Sequence, residues 1–340
     1  MTLIKKNRIG LIILAFASSI LPLIVRNPYY IHILIMVGIN AILAMTFILM
    51  LRTGLISIAI AVFWGVGAYS TAMLSMKLGL SFWLSLPLGA LITGIVALFL
   101  GLFLLRNAGF TFIILTMALG EMAVLAIGQN PFMGGYQGLV GIPAIDPIIM
   151  PFLGTIEFSS KVSYYYLMLC LFWFVVLVIS SFYAAWVGRA WSAIGLKAQL
   201  AESLGINLYR YRLWVFVFAS SIAGLAGGFY AHYYGTIEPA TFGTFKTIYV
   251  HIMAVLGGIG FPILGPVVGA FILTYIPEIL RIAEEVEPII TGFCILFIIL
   301  FMPNGILGFF DQQKNLKRPA EILMKFSKLI KNILLSNPRR

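Results

Sequence analysis

Charge is what this chain has least of. Only 10% of its 340 residues are Asp, Glu, Lys or Arg, whereas a soluble domain carries about 25%. Too few charges remain to clothe a water-facing surface, so a soluble globular fold is excluded. Cysteine is nearly absent. Cys170 and Cys294 are the whole complement, each lies inside an apolar run, and neither a disulfide framework nor a thiolate metal site can be built from them. The three histidines, His32, His232 and His251, are scattered without ligand spacing.

Motifs for chemistry are missing too. No segment reads G-x-x-x-x-G-K-[ST], and Gly-Lys never occurs as a dipeptide, so the chain has no phosphate-cradling loop and no ATP site of that type. It contains no H-E-x-x-H and no G-x-S-x-G, the patterns of a zinc hydrolase and of a serine nucleophile elbow. Most acidic residues fall in loops. No catalytic constellation and no cofactor site can be assembled, and the chain reads as a non-enzyme.

What is present is apolar. Hydrophobic residues make up 61% of the chain and mean hydropathy is +1.06. A helix needs about 20 apolar residues to cross a bilayer, and ten stretches approach that: 9–25, 31–50, 54–76, 82–104, 110–128, 164–186, 213–234, 247–261, 264–281 and 287–303. Several are short or broken, so the expected fold is an all-α bundle of eight to ten spans. The basic start followed by Ile9–Val25 resembles a signal peptide, but it lacks an A-x-A cleavage site, and an uncleaved first helix is expected.

The basic residues set the orientation. With the N-terminus inside, Lys5, Lys6, Arg8, Arg52, Arg106, Arg189, Lys197, Arg210, Arg212 and the eight of the tail share the inner side. Arg26, Lys77, Lys161, Lys246 and Arg281 remain outside. This asymmetry places both termini in the cytoplasm. It also accounts for the net charge of +11 without invoking nucleic acid. The expected division is a transmembrane domain over 1–310, with a cytoplasmic loop at 187–212, and a basic tail over 311–340. Within the tail, Pro319–Leu335 has the pattern of an amphipathic helix able to lie on an anionic leaflet.

Two loops are long. The outer one, 129–163, is rich in glycine and proline. In the inner one, Ala193–Leu204 is built of good helix formers and stops at Gly205, which predicts a short amphipathic helix with a glycine cap. Gly224–Gly228 and Gly265–Gly269 are small-xxx-small pairs suited to close helix packing. Leu256–Pro266 predicts a tight turn between two short spans, with an interrupted helix as the alternative. Glu121 is the one acid near the middle of a span. A charge at mid-bilayer costs about 2.5–3.5 kcal/mol, so Glu121 is expected to face protein or a wet cavity, either lining a path or bonding another helix.

Several segments together resemble one family. GLISIAIAVFWGVGAYSTAML (Gly54–Leu74), TMALGEMAVL (Thr116–Leu125), MGGYQGLVGIP (Met133–Pro143), the stretch Gly188–Ala231, AVLGGIGFPILGPVVGA (Ala254–Ala270) and LFMPNGILG (Leu300–Gly308) are similar, in that order, to LivM-type permeases of branched-chain amino acid ABC importers. The resemblance implies a multi-pass permease subunit of a bacterial inner membrane, moving Leu, Ile or Val inward. Its implied partners are a second permease subunit, two cytoplasmic ATP-binding subunits and an extracytoplasmic solute-binding protein. The helix bearing Ala193, Lys197, Ala198, Ala201, Glu202 and the turn Gly205 would seat in the ATPase. Glycine and polar placement nominates Gly65, Gly67, Tyr69, Thr116 and Glu121 for the substrate path. The same machinery with urea, short amides or nucleosides as cargo, or a stand-alone carrier, are the alternatives.

Overall fold

The computed structural model describes residues 10, 14–22, 25, 27–107, 109–150, 154–158, 160–280, 292, 296, 304–309 and 311. Helix α1 is the segment 14–22. It is followed by α2 (Pro28–Leu51), α3 (Ile60–Leu78), α4 (Phe82–Leu104), α5 (Phe110–Gly128), α6 (Lys161–Ala184), α7 (Trp186–Leu196), α8 (Ala198–Ser203), α9 (Leu208–Tyr234), α10 (Thr244–Gly257) and α11 (Leu264–Leu280). The chain is a polytopic helical membrane protein. Among the described residues, α2, α4, α5, α6 and α9 are long and apolar enough to cross a bilayer, and α10 and α11 are shorter apolar helices. All but residues 292 and 296 of the expected span 287–303, all but residue 311 of the tail, and parts of the span 9–25 lie outside the described residues.

Local chemistry sets the helix ends. Asn27 accepts a hydrogen bond from Tyr29 N and Pro28 opens α2, where its missing N–H costs nothing. Ser160 caps α6 through Ser163 N, and Asn207 caps α9 through Arg210 N. The span expected at 54–76 begins later, at Ile60, because residues 52–59 form turns after α2 and Gly54 takes φ +73°. The turn expected in Leu256–Pro266 is found: α10 stops at Gly257, Gly258 has φ +117°, and α11 resumes at Leu264.

Burial ranks the helices. In the most apolar window of α2, 83% of residues are buried, against 17% in α5. Helix α2 is therefore the core, lying against α6, α9, α10 and α11, while α5 sits at the edge. A tight seam joins α3 to α9. A Cβ on Gly227 would collide with the Trp64 carbonyl, and one on Gly67 with the backbone of Gly224. Gly228 faces Thr71, and Gly269 meets the Met253 carbonyl across the α10–α11 seam. Lipid tails are as apolar as leucine, so close approach of this kind, rather than a hydrophobic drive, holds such helices together.

The described part of the long loop after α5 contains regular structure. It carries 3₁₀ turns at Pro131–Met133 and Gly135–Gln137 and strands β1 (Leu139–Val140), β2 (Ile148–Met150) and β3 (Gly154–Ile156). Strands β2 and β3 form a small hairpin, while β1 pairs antiparallel with β4 (Thr236–Ile237), which follows α9. Asp146 Oδ2 accepts from Phe82 N at 2.6 Å and so caps α4, and His232 Nδ1 lies 2.8 Å from the Pro143 carbonyl. The loop is thereby fastened over one end of α3, α4 and α9.

Overpacking a tight seam costs about 1–3 kcal/mol. Gly227→Ala should therefore lower the thermal midpoint of the detergent-solubilised protein by several degrees. Gly260→Ala, whose Cβ meets nothing within 4 Å, should leave it unchanged in the same melt.

Candidate functional site

Two breaks in the helical spans meet inside the bundle. The first is the start of α3. Its N-cap, Ala59, has no side-chain acceptor to offer, yet lipid supplies none either, so its N–H groups must be met from within the protein. Three hydroxyls do this. Ala59 N donates to Ser57 Oγ at 3.3 Å, Ile58 N to Thr116 Oγ1 of α5 at 3.0 Å, and Ala61 N to Thr247 Oγ1 of α10 at 3.0 Å. All three side chains are fully buried. The foot of α3 is thus bolted to α5 and α10 at once.

The second break precedes α10. From β4 the chain runs through the turn Pro239–Phe242 before α10 begins at Thr244. This stretch reaches into the bundle. Phe242 is buried against Gly65, and Lys246 in the first turn of α10 donates to Asn40 Oδ1 at 3.0 Å. Asn40 stands near the middle of the 24-residue α2 and also donates to Thr274 Oγ1 of α11 at 3.0 Å. Irregular backbone at this depth is tolerated only when buried in protein or lining a cavity. Lys246, counted above among the outer cations, belongs instead to the interior. Local sequence could not show this, because it lies where one apolar run has not yet begun.

The nominated path residues separate in space. Gly65 and Tyr69 both face Phe242, with the Tyr69 ring centroid 5.9 Å from that of Phe242. Gly67 lies in the α3–α9 seam. Thr116 is the bolt just described. On α5, Phe112, Thr116, Gly120 and Gly128 face inward, while Glu121 is exposed on the opposite face with Met117, Met122 and Leu125. A carboxylate on an outward face at mid-span calls for a partner protein or water.

A third feature lies between α6 and α9. The helix expected over Ala193–Leu204 is two helices, because Lys197 is extended (φ −158°, ψ 94°). Propensity alone favours one continuous helix. Packing overrides it: Gly195 is pressed on the Arg52 carbonyl and Trp191 is buried in a stack against Phe182. The expected stop at Gly205 is found. Gly205 has φ +83°, Ile206 N donates to Ala201 O and Gly205 N to Glu202 O, the paired bonds of a Schellman cap.

Ala201 is buried, Ala193 and Ala198 are half-buried, and Lys197, Glu202 and Gly205 are exposed. The residues most offered to solvent were not singled out. Leu196, Leu200 and Leu204 are 88%, 57% and 74% exposed, and their spacing of four was the signal available in the sequence. The turns before α3 are braced from α7 by Gly195 against the Arg52 carbonyl, and from α9 by Arg212, whose Nε donates to the Thr53 carbonyl at 3.3 Å. Among the described residues, no group of three or more His, Cys, Asp or Glu side chains is placed to hold a metal.

A family model described as "Branched-chain amino acid transport system / permease component" matches residues 29–303. The chain is 27% identical over 308 residues to the high-affinity branched-chain amino acid transport system permease protein LivM of Escherichia coli strain K12, covering 85% of this chain and 71% of that protein. It is 28% identical over 196 residues to LivH of the same strain, covering 54% of this chain and 63% of LivH. An autoinducer 2 import system permease protein, LsrC of Yersinia pseudotuberculosis strain IP 31758, is 28% identical over 314 residues, covering 88% of this chain and 85% of LsrC. No solved structure matches the chain.

Thr116→Val keeps the shape of the bolt and removes its oxygen, leaving the buried Ile58 N–H unmet. Such a loss costs about 1–3 kcal/mol. A lowered thermal midpoint is expected, with faster hydrogen exchange at the foot of α3 than at its far end.

Proposed function

This chain belongs to the permease family of branched-chain amino acid transport systems, and we propose that it is one membrane-spanning subunit of an ABC importer in a bacterial inner membrane. In this reading it carries Leu, Ile or Val inward, and separate ATPase subunits supply the power. Both termini lie in the cytoplasm. A second permease subunit, of this chain or a LivH-like one, covers the α5 face that holds Glu121, and a solute-binding protein delivers cargo from outside. Residues 1–310 form the membrane domain, and the basic tail 311–340 lies on the inner surface.

One observation carries the reading. The ridge Leu196, Leu200 and Leu204 stands out from two short helices that are otherwise braced into the bundle. Leucines exposed on a short helix pair fit docking into an apolar groove, and the cytoplasmic ATPase is the occupant expected there. Lys197, Glu202 and Gly205 flank the ridge and would fix its seat, while Ala193, Ala198 and Ala201 hold it to the bundle. A push on this pair reaches Arg52 through Gly195, and then the foot of α3 with its bolts to α5 and α10. Docking movement and path are thereby connected through contacts. Glu121, Thr116, Gly65, Gly67 and Tyr69 belong to the elements that such a movement would shift.

The likeness to an autoinducer 2 permease favours a second reading for cargo alone, in which the same machinery moves another small solute. Competition of labelled leucine uptake by unlabelled candidate solutes separates the two.

In the reconstituted complex, Leu200→Asp should weaken ATPase docking by at least about tenfold, equivalent to ~1.4 kcal/mol, and abolish stimulation of ATP hydrolysis by loaded binding protein. Unchanged stimulation would count against the docking role. Glu121→Leu should reach the membrane at the wild-type level but change the leucine uptake rate. Equal uptake would remove Glu121 from the path.

A further inference from the structure

The second break encloses polar groups that nothing in the bundle uses. Trp64 Nε1 and Tyr69 Oη are both buried without a hydrogen-bond partner. Their side chains flank one ring. Phe242 sits 4.8 Å from Trp64 and 5.9 Å from Tyr69, centroid to centroid. Tyr230 closes the other side, 4.7 Å from Trp64. Beneath them the Lys246 ammonium lies 5.5 Å from the centre of the Trp64 ring, held only by Asn40 Oδ1. Among the described residues no carboxylate pairs with Lys246. Glu238, exposed at the other end of the same segment, accepts from Thr241 Oγ1.

Buried polar groups are nearly always satisfied, and an unmatched cation deep in a membrane protein is retained for use. Here two unmet donors and one unmatched cation share one aromatic enclosure. Their common complement is an anion with several acceptor oxygens. The aromatic walls add an apolar surface, and Glu238 adds a negative charge towards the loop end. A carboxylate, an aliphatic side chain and an ammonium group on one small molecule match these three features.

We propose that this cluster is a relay site for a zwitterionic aliphatic amino acid, with Lys246, Trp64 and Tyr69 receiving the carboxylate, and that the Phe242 ring holds it shut in the state seen here. Phe242 is carried on irregular backbone and faces Gly65, where a Cβ would come within 2.7 Å of the ring. Displacing the segment Pro239–Phe242 uncovers Trp64, Tyr69 and Lys246 together. Lys246 acts by binding the passing ligand. The inference rests on the importer reading and deepens it from cargo to the residues that hold the cargo in transit.

The test uses the reconstituted complex with its binding protein and ATPases, and labelled L-leucine as probe. If the wild type shows no ATP-dependent L-leucine uptake, the importer reading and the relay fall together. Given wild-type uptake, Lys246→Met should lower the maximal rate by about tenfold with little change in the half-saturating concentration of loaded binding protein. Lys246→Arg should restore most of the rate. Uptake by Lys246→Met equal to wild type, or Lys246→Arg as poor as Lys246→Met, overturns the relay alone.

Should Lys246→Met fail to insert, Tyr69→Cys in a background of Cys170→Ala and Cys294→Ala decides. A charged methanethiosulfonate should label it slowly, and faster when Phe242→Ala is added. Leucine-loaded binding protein with ATP should protect it. Labelling indifferent to both Phe242→Ala and leucine overturns the proposal.

Discussion

A backbone N–H inside a membrane must find its acceptor within the protein, and the architecture around the start of α3 follows from that demand. A span interrupted at Ile60 leaves donors that water cannot reach. Ser57, Thr116 and Thr247 answer them from three different elements. Each hydroxyl satisfies one donor, and together they fix where α5 and α10 must stand relative to α3. The surrounding helices are almost wholly apolar, so these few oxygens determine register where shape alone would allow sliding.

The same constraint joins the interior to the exposed helix pair. Residues 52–59 lie between the end of α2 and the bolted foot of α3, and they are touched from the far side by Gly195 and Arg212. A rigid element that contacts both an exposed ridge and a buried junction has the form required of a coupling device, in which two sites bias one shared arrangement. Close glycine seams on α3, α9, α10 and α11 support this. Backbones in direct contact transmit displacement with little loss, because no flexible side chain lies between them.

The long spans were legible because hydropathy over about 20 residues is a strong signal; α2, α4, α5, α6 and α9 fall where the apolar runs place them. The glycine pairs were legible as close-packing sites, but spacing does not say which helix faces them. That Gly227 meets Trp64 is a tertiary fact. Lys246 was misplaced because hydropathy reads a cation between two apolar runs as a loop, whereas its contact with Asn40 depends on a residue far away in sequence. The break at Lys197 was hidden by good helix propensity on both sides and became visible only with Arg52 against Gly195. The strands were missed for their brevity: two or three residues carry no period. Leu196, Leu200 and Leu204 could have been found by asking which apolar residues lie outside any span.

The pairing of β1 with β4 has a consequence for biogenesis. Leu139 and Ile237 are hydrogen-bonded neighbours, yet all of α6, α7, α8 and α9 is synthesised between them. As the ribosome delivers the chain, the segment after α5 emerges with its strand edge vacant and stays so until α9 has been threaded through the translocon. The first helices inserted thus wait, incompletely roofed, for later ones, and a stall in translation within that interval would leave a half-built assembly exposed to quality-control proteases.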